Sequence, residues 1–221
     1  MLDQFIINGI GSLDIYDASV AERKIVDGAK KSIKETVPFS NKVYDFSKID
    51  GELYWEPTSL EYVLEITADN PIDLERKVSR FKGWVKNIVE GELHDPFIND
   101  YHFIATFETV SVDSTEIEKA IVTVSFSAYP YMIANLPKVY SVSLTANKEK
   151  EVVIQNDSSH RIVPTISSNV AISLTIGSLT YNVTSGEITD PYFKIEAGRT
   201  VLKLKSTQNG TVSITFYEEV F

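Results

Sequence analysis

With 221 residues and 43% hydrophobic content, the chain has enough apolar material for real cores, in one large β domain or two small ones. It has no cysteine, which excludes disulfides and thiolate metal sites and fits a reducing compartment. The net charge of −10 is uneven: residues 1–138 hold 14 Lys and Arg against 23 Asp and Glu, residues 139–221 hold 7 against 8, and so acidic a first half argues against tight binding to phosphate backbones.

Met1–Gly9 lacks a basic leading region and has no apolar run longer than three residues, so it does not read as a signal peptide. No apolar stretch approaches the roughly 20 residues that span a bilayer. A soluble protein with no membrane insertion is expected. Phe5-Ile6-Ile7 reads as a short strand, Asn8-Gly9 as a turn, and the residues up to Tyr16 as a second strand. Arg23, Lys24, Lys30, Lys31 and Lys34 then form a basic stretch, and Asp27-Gly28 within it signals a hairpin. Such a ribbon either touches an acidic partner or is a solvated edge guarded by its charges. Val37-Pro38, Tyr44–Ser47, Asp50-Gly51 and Tyr54–Pro57 are turn-rich and carry large aromatics.

Leu60, Tyr62, Leu64 and Ile66 alternate with Glu61, Val63, Glu65 and Thr67, a strand with one buried face. A helix over about 70–89 follows. Asn70 caps it, Pro71 suits the first position, and Leu74, Val78, Phe81, Val85 and Ile88 make one apolar stripe that Trp84 widens. Gly83 weakens its interior and Gly91 is a plausible stop. Phe103–Thr109 reads as a strand and residues 113–118 as a polar turn. Ala120–Ala128 closes the first half, with Val122, Val124 and Phe126 on one face, and Pro130 ends it.

The second half shows short runs near Val152–Ile154, Val163–Ile166, Ile172–Ile176, Leu179–Val183, Tyr192–Ile195, Thr200–Lys205 and Thr211–Tyr217, separated by Gly, Asn and Ser turns. That spacing indicates a sandwich or barrel. The chain therefore reads as mainly β in two domains. Residues 1–134 form an N-terminal, β-sandwich-like domain with one α-helix, and residues 135–221 form a C-terminal β-sandwich.

Chemistry is sparse. His94, His102 and His160 lack metal-ligand spacing, and no cofactor is expected. Asp95 and Asp100 in one loop admit a carboxylate pair but also suit ordinary turns. There is no Gly-rich phosphate loop and no Gly-x-Ser-x-Gly elbow. Asn182-Val-Thr and Asn209-Gly-Thr match the glycosylation sequon but read as turns. Tyr181, Tyr192 and Tyr217 are candidates for a glycan-stacking platform, although strand aromatics more often serve cores and cross-strand pairs.

Several segments in order resemble the distal tail protein (Dit) family of long-tailed bacteriophages and prophages. They are Val37-Pro38, Tyr44–Ser47, Gly51, Tyr54–Glu56 leading into Leu60–Ile66, a helix ending near Trp84, the loop from His94 to Tyr101, Phe103–Phe107, and Phe126–Tyr131. Glu196–Arg199 followed by Val201–Leu204 is similar to a late turn of that family's second domain. One departure is Phe39-Ser40-Asn41, where many members continue Val-Pro with Gly-Arg. The resemblance implies an assembly hub and not an enzyme. Six N-terminal domains would close a ring joining the tail tube to the tip or baseplate, and the C-terminal domain would be a galectin-like sandwich at its periphery. The implied partners are further copies of the chain, the tail tube protein and a tail-tip protein. The implied place is the virion tail tip, after assembly in the host cytoplasm. A ring needs apolar anchors outside the monomer core; Tyr44, Phe46, Tyr54 and Trp55 are the candidates. An acidic lumen would let DNA pass without binding it. The alternative is a carbohydrate-binding sandwich that attaches to a host-surface glycan.

Overall fold

The structure is a computed structural model that describes residues 4–36, 38–39, 41–47 and 51–221. Val37, Ser40 and Asp50 of the turn-rich segments lie outside the described residues. Two compact units divide the chain, Met1–Met132 and Ile133–Phe221.

The first unit contains β1 (Ile6–Ile7), β2 (Ile10–Gly11), α1 (Ser12–Tyr16), β3 (Ala18–Val26), β4 (Lys34–Thr36), β5 (Val43–Asp45), β6 (Thr58–Thr67), α2 (Pro71–Lys86), β7 (Gly91–His94), β8 (Tyr101–Thr115) and β9 (Lys119–Ala128). β10 (Met132–Ala134) begins at its last residue. The main sheet runs β2-β1-β7-β8-β9-β6-β3. Its first and last strands are consecutive in the chain and joined by α1, a helix that rises only about 8 Å. The sheet must therefore curl until its ends approach, which gives it sandwich-like walls around one core.

Strict alternation builds those walls. Leu60, Tyr62, Leu64 and Ile66 of β6 face inward beside Ala120, Val122, Val124 and Phe126 of β9. α2 lies against them through Leu74, Phe81 and Val85. The Asn70 side chain accepts the Asp73 amide at 3.0 Å, as its sequence position indicates. The helix stops at Lys86 with Asn87 as its cap. Gly91 instead opens β7, where a Cβ would come within 2.4 Å of the Asn8 side chain. An aromatic nest fills the space under the helix: Trp84 stacks on Tyr16 at 4.6 Å and on Phe5 at 5.8 Å, and Phe5 meets Tyr62 at 5.0 Å.

Three further segments of the first unit depart from the sequence reading. After the Asn8-Gly9 turn the expected second strand lasts two residues and gives way to α1. The buried Gln4 causes this, because its carbonyl oxygen accepts both the Leu13 and Asp14 amides at 3.1 Å and holds the first helical turn. Asp27-Gly28 makes no hairpin. β3 pairs with β6, and past Gly28 the chain runs on beside residues 54–56, with the Glu56 amide donating to the Ala29 carbonyl and the Lys31 amide to the Tyr54 carbonyl, both at 2.8 Å. A Cβ on Gly28 would lie 1.7 Å from the Glu56 oxygen, so only glycine permits that approach. Finally, β8 continues through residues 113–115, which leaves a turn of 116–118.

The second unit is a four-on-four sandwich. Its strands are β11 (Lys138–Leu144), β12 (Glu149–Asn156), β13 (Thr165–Ser168), β14 (Ile172–Ile176), β15 (Leu179–Val183), β16 (Gly186–Thr189), β17 (Gly198–Lys205) and β18 (Gly210–Phe216), and β19 (Glu219–Val220) pairs with β10 outside both sheets. The sheets run β11-β18-β13-β16 and β12-β17-β14-β15. Leu144, Ile154, Ile166, Leu174, Leu204 and Ile214 meet between them. The run Tyr192–Ile195 is not a strand: Phe193 and Ile195 are core residues, with Ile195 held in a single bridge to Ile162. β16 was not expected, since all four of its residues are exposed and show no alternation.

Candidate interaction surfaces

The paired segments past Gly28 form a two-stranded arm. Phe46 donates its amide to the Ile33 carbonyl at 2.8 Å, and β4 then pairs with β5 as Lys34 with Asp45, Glu35 with Tyr44 and Thr36 with Val43. Opposed residues share a face, so Ile33, Tyr44 and Phe46 stand together. They are 52%, 41% and 44% exposed. The Tyr44 and Phe46 rings stack at 6.4 Å, with the Lys42 ammonium 5.0 Å from the Tyr44 ring. Tyr54 is also open, whereas Trp55 is half-buried at the bridge to Lys30. Of the four aromatics proposed from sequence, Tyr44 and Phe46 are brought together by the arm and Tyr54 and Trp55 sit at its root. Ile33 was missed. Its face depends on which residue lies opposite, and no short-range pattern reveals that.

A second surface comes from the sheet order. β7 pairs with β8 only from Phe103 to Ala105, while β9 accompanies β8 from Ala105 to Thr115. Thr106–Thr115 therefore has β9 on one side and no ladder to β7 on the other. β3, nine residues long, is the last strand at the opposite end. Among the described residues the patch β8-β9-β6-β3 thus ends in a length of β8 past the β7 ladder on one side and in β3 on the other. Exposed Glu108 and Asp113 lie along the β8 edge, exposed Arg23 and Lys24 along the β3 edge.

The acidic loop is a structural anchor. The Asp95 side chain is fully buried and accepts from the Arg23 guanidinium, from the Tyr62 hydroxyl at 2.9 Å and from the Phe97 amide at 2.8 Å. Arg23 also lies over the Phe97 ring at 4.4 Å. Burial, and then the Asp95 charge and hydrogen bond, hold the Tyr62 phenol well above 10. With every bond of Asp95 spent on neighbours and its surface closed to solvent, it has no geometry for acid–base work with Asp100. The His94 and His102 rings are 5.4 Å apart, and burial followed by the His102 charge lowers His94. Among the described residues no three His, Cys, Asp or Glu side chains are grouped to hold a metal.

In the second unit Tyr181 donates its hydroxyl to the Tyr192 carbonyl at 3.2 Å and packs edge-on to Phe193 at 5.1 Å. Tyr192 is the most open of the three candidate tyrosines. Tyr217 is half exposed and follows β18 in the other sheet. The platform named from sequence is thus divided between two places.

No family model matches the chain, and no curated protein matches it. Among solved structures it is similar to the Dit protein (gp 19.1) of phage SPP1, described as a paradigm of hub adsorption apparatus in Gram-positive infecting phages. The TM-score is 0.69 at 13% identity, covering 97% of this chain and 98% of that one. A chain of the phage P2 baseplate in its activated conformation with Ca aligns over 97% and 98% at a TM-score of 0.42 and 9% identity, a likeness too loose to carry weight. The SPP1 likeness spans both units and shows a shared fold.

Proposed function

We propose that this chain, whose fold is that of the distal tail proteins, is a structural component of a phage or prophage tail, closing a hexameric ring that joins the tail tube to the tip or baseplate. The observation that carries the ring is the patch β8-β9-β6-β3 with its two open edges. Long open edges are a hazard that solitary proteins avoid. Here they lie on opposite sides of one sheet, with Glu108 and Asp113 along the β8 edge. Such a pair fits head-to-tail association, which is heterologous and ends only when the ring closes. The arm supports the same reading. A two-stranded ribbon is marginal in water by itself, and this one displays Ile33, Tyr44 and Phe46. A neighbouring copy would bury them, with Tyr54 and Trp55 at the root of the contact.

In this role the chain works by docking and needs no catalysis. Its partners are its own copies, the tail tube protein and a tail-tip protein. It acts at the virion tail tip after assembly in the host cytoplasm. The acidic first unit fits a lumen that gives DNA phosphates no cation to hold; a lumen lined with Lys and Arg in a ring reconstruction would remove that element.

Light scattering on the eluting full chain tests the reading. The expected mass is that of a hexamer of the 24.8 kDa chain. The double variant Ile33→Ser, Phe46→Ser should run as a monomer with an unchanged circular dichroism spectrum. A wild-type chain that remains monomeric at every concentration and labels no tail tip in immuno-electron microscopy overturns the proposal.

A further inference from the structure

The two outer faces of the second unit differ in kind. On the sheet β12-β17-β14-β15 the outward positions of β12 and β17 carry charges of both signs, with Glu149 opposite Lys205, Glu151 opposite Lys203 and Gln155 opposite Arg199 around the apolar pair Val153 and Val201, while β14 and β15 add Ser173, Thr175 and Thr180. Lys203 lies 3.4 Å from both Glu149 and Glu151. This is how a sheet meets water.

The other sheet is built differently. Its buried positions are Val142, Leu144, Ile166, Val212, Ile214 and Phe216, so the alternate residues point outward. The ladders align these in rows. One row is Ser141, Ser213, Ser167 and Glu187, and the next is Val139, Thr215, Thr165 and Thr189. Ser143 opposes Thr211 in a third. The rows hold eight hydroxyl side chains, one carboxylate on the outermost strand and no cation. The Thr165 and Thr189 hydroxyls are 2.9 Å apart. Tyr217 continues β18 beyond this field and is half exposed.

We infer that this hydroxyl face of β11-β18-β13-β16 is a binding surface for an uncharged polysaccharide lying across the strands. The occupant follows from the chemistry. A charged polymer gains nothing from a field without counter-charges. A protein partner needs apolar or arginine anchors, and serine is depleted at such interfaces. A neutral glycan offers hydroxyls that donate and accept in the same way as those of the face. Neighbouring strands repeat their hydroxyls about every 4.8 Å, which suits a polymer of repeating units better than one sugar in a pocket. Each contact is weak, and repetition along one chain supplies the affinity. The inference concerns one unit and does not rest on ring formation.

The test is mobility of the full chain in native gels cast with dextran, mannan or arabinogalactan, against a gel with none. At least one neutral polysaccharide should slow the chain, and added salt should not release it. Ser213→Lys places a long charged side chain at the centre of the field and should weaken retention about tenfold, a readily measured change in affinity. Lys203→Ser on the opposite face should behave as wild type. If Ser213→Lys does not fold by circular dichroism, Ser167→Lys serves the same purpose nearer the edge. Wild-type mobility unchanged in all three gels overturns the inference. Equal retention of the lysine variants, or retention only by dextran sulfate that salt abolishes, overturns it as well.

Discussion

The sandwich unit and the curled sheet of the first unit treat their strand edges in opposite ways. In the sandwich three of the four edge strands are blunted, β15 and β16 being five and four residues long and β12 beginning with Glu149, Lys150 and Glu151, while the fourth, β11, carries Lys138 alone. Short or charged edges discourage pairing with another chain. In the first unit the open part of β8 is long, β3 is long although it carries Glu22, Arg23 and Lys24, and the arm displays an uncovered apolar face. One region blunts most of its edges within a single chain, while the other leaves a long strand edge and an apolar arm face uncovered. Stability and assembly are therefore expected to separate under mutation.

The sharpest way to break that contrast is to damage each core alone. Leu204, fully buried between the sandwich sheets, should cost about 4 kcal/mol as Leu204→Ala. Urea unfolding should show the loss in the second unit's transition while the first unit's stays in place, since the two apolar clusters share no residue. A shift of both transitions by the same amount would mean that the units unfold as one. Asp95→Ala comes next, at about 3 kcal/mol, because it strands the buried Tyr62 hydroxyl and the Arg23 charge. Asp95→Asn should recover part of it, and a neutral result for Asp95→Ala would remove the anchoring role.

The arm should behave in the reverse manner. Phe46→Ser should weaken self-association about tenfold or more and leave the urea midpoints unchanged, because the ring is already open to water. Trp55→Ala should also impair assembly more than folding. A collapsed midpoint for Trp55→Ala would place that half-buried ring in the core instead. A smaller effect is expected at the helix cap, where Asn70→Ala should cost about 1 kcal/mol in the first unit only.

These contrasts were unevenly legible in the sequence. β6, β9 and α2 could be read because Leu60–Ile66, Ala120–Ala128 and Leu74–Val85 repeat their apolar residues at the period of the element they form. The cap at Asn70 is local chemistry and was equally plain. Asp27-Gly28 misled because the turn signal is local while the cause of the glycine, the passing carbonyl of Glu56, is 28 residues away. α1 was hidden because Gln4 holds it from outside the helix. The open edges could not be read at all, since they are properties of strand order. The arm aromatics were visible as residues, but the face they share with Ile33 needed the register.

The alkaline behaviour of Tyr62 sharpens the comparison from the side of the finished core. Burial, and then the neighbouring Asp95, raise its phenol well above 10 in the folded chain. An unfolded tyrosine titrates near 10. The folded state therefore keeps a proton that the unfolded state gives up, and the stabilisation from this group is complete below pH about 10 and is lost as pH rises through the folded value. Other tyrosines and lysines titrate in the same window, so the informative quantity is a difference. Tyr62→Phe should lower the first unit's urea midpoint at neutral pH, because Asp95 loses a donor. It should also flatten that midpoint's decline above pH about 10 relative to wild type. Parallel wild-type and Tyr62→Phe profiles would show that the phenol titrates no differently inside the core than outside it.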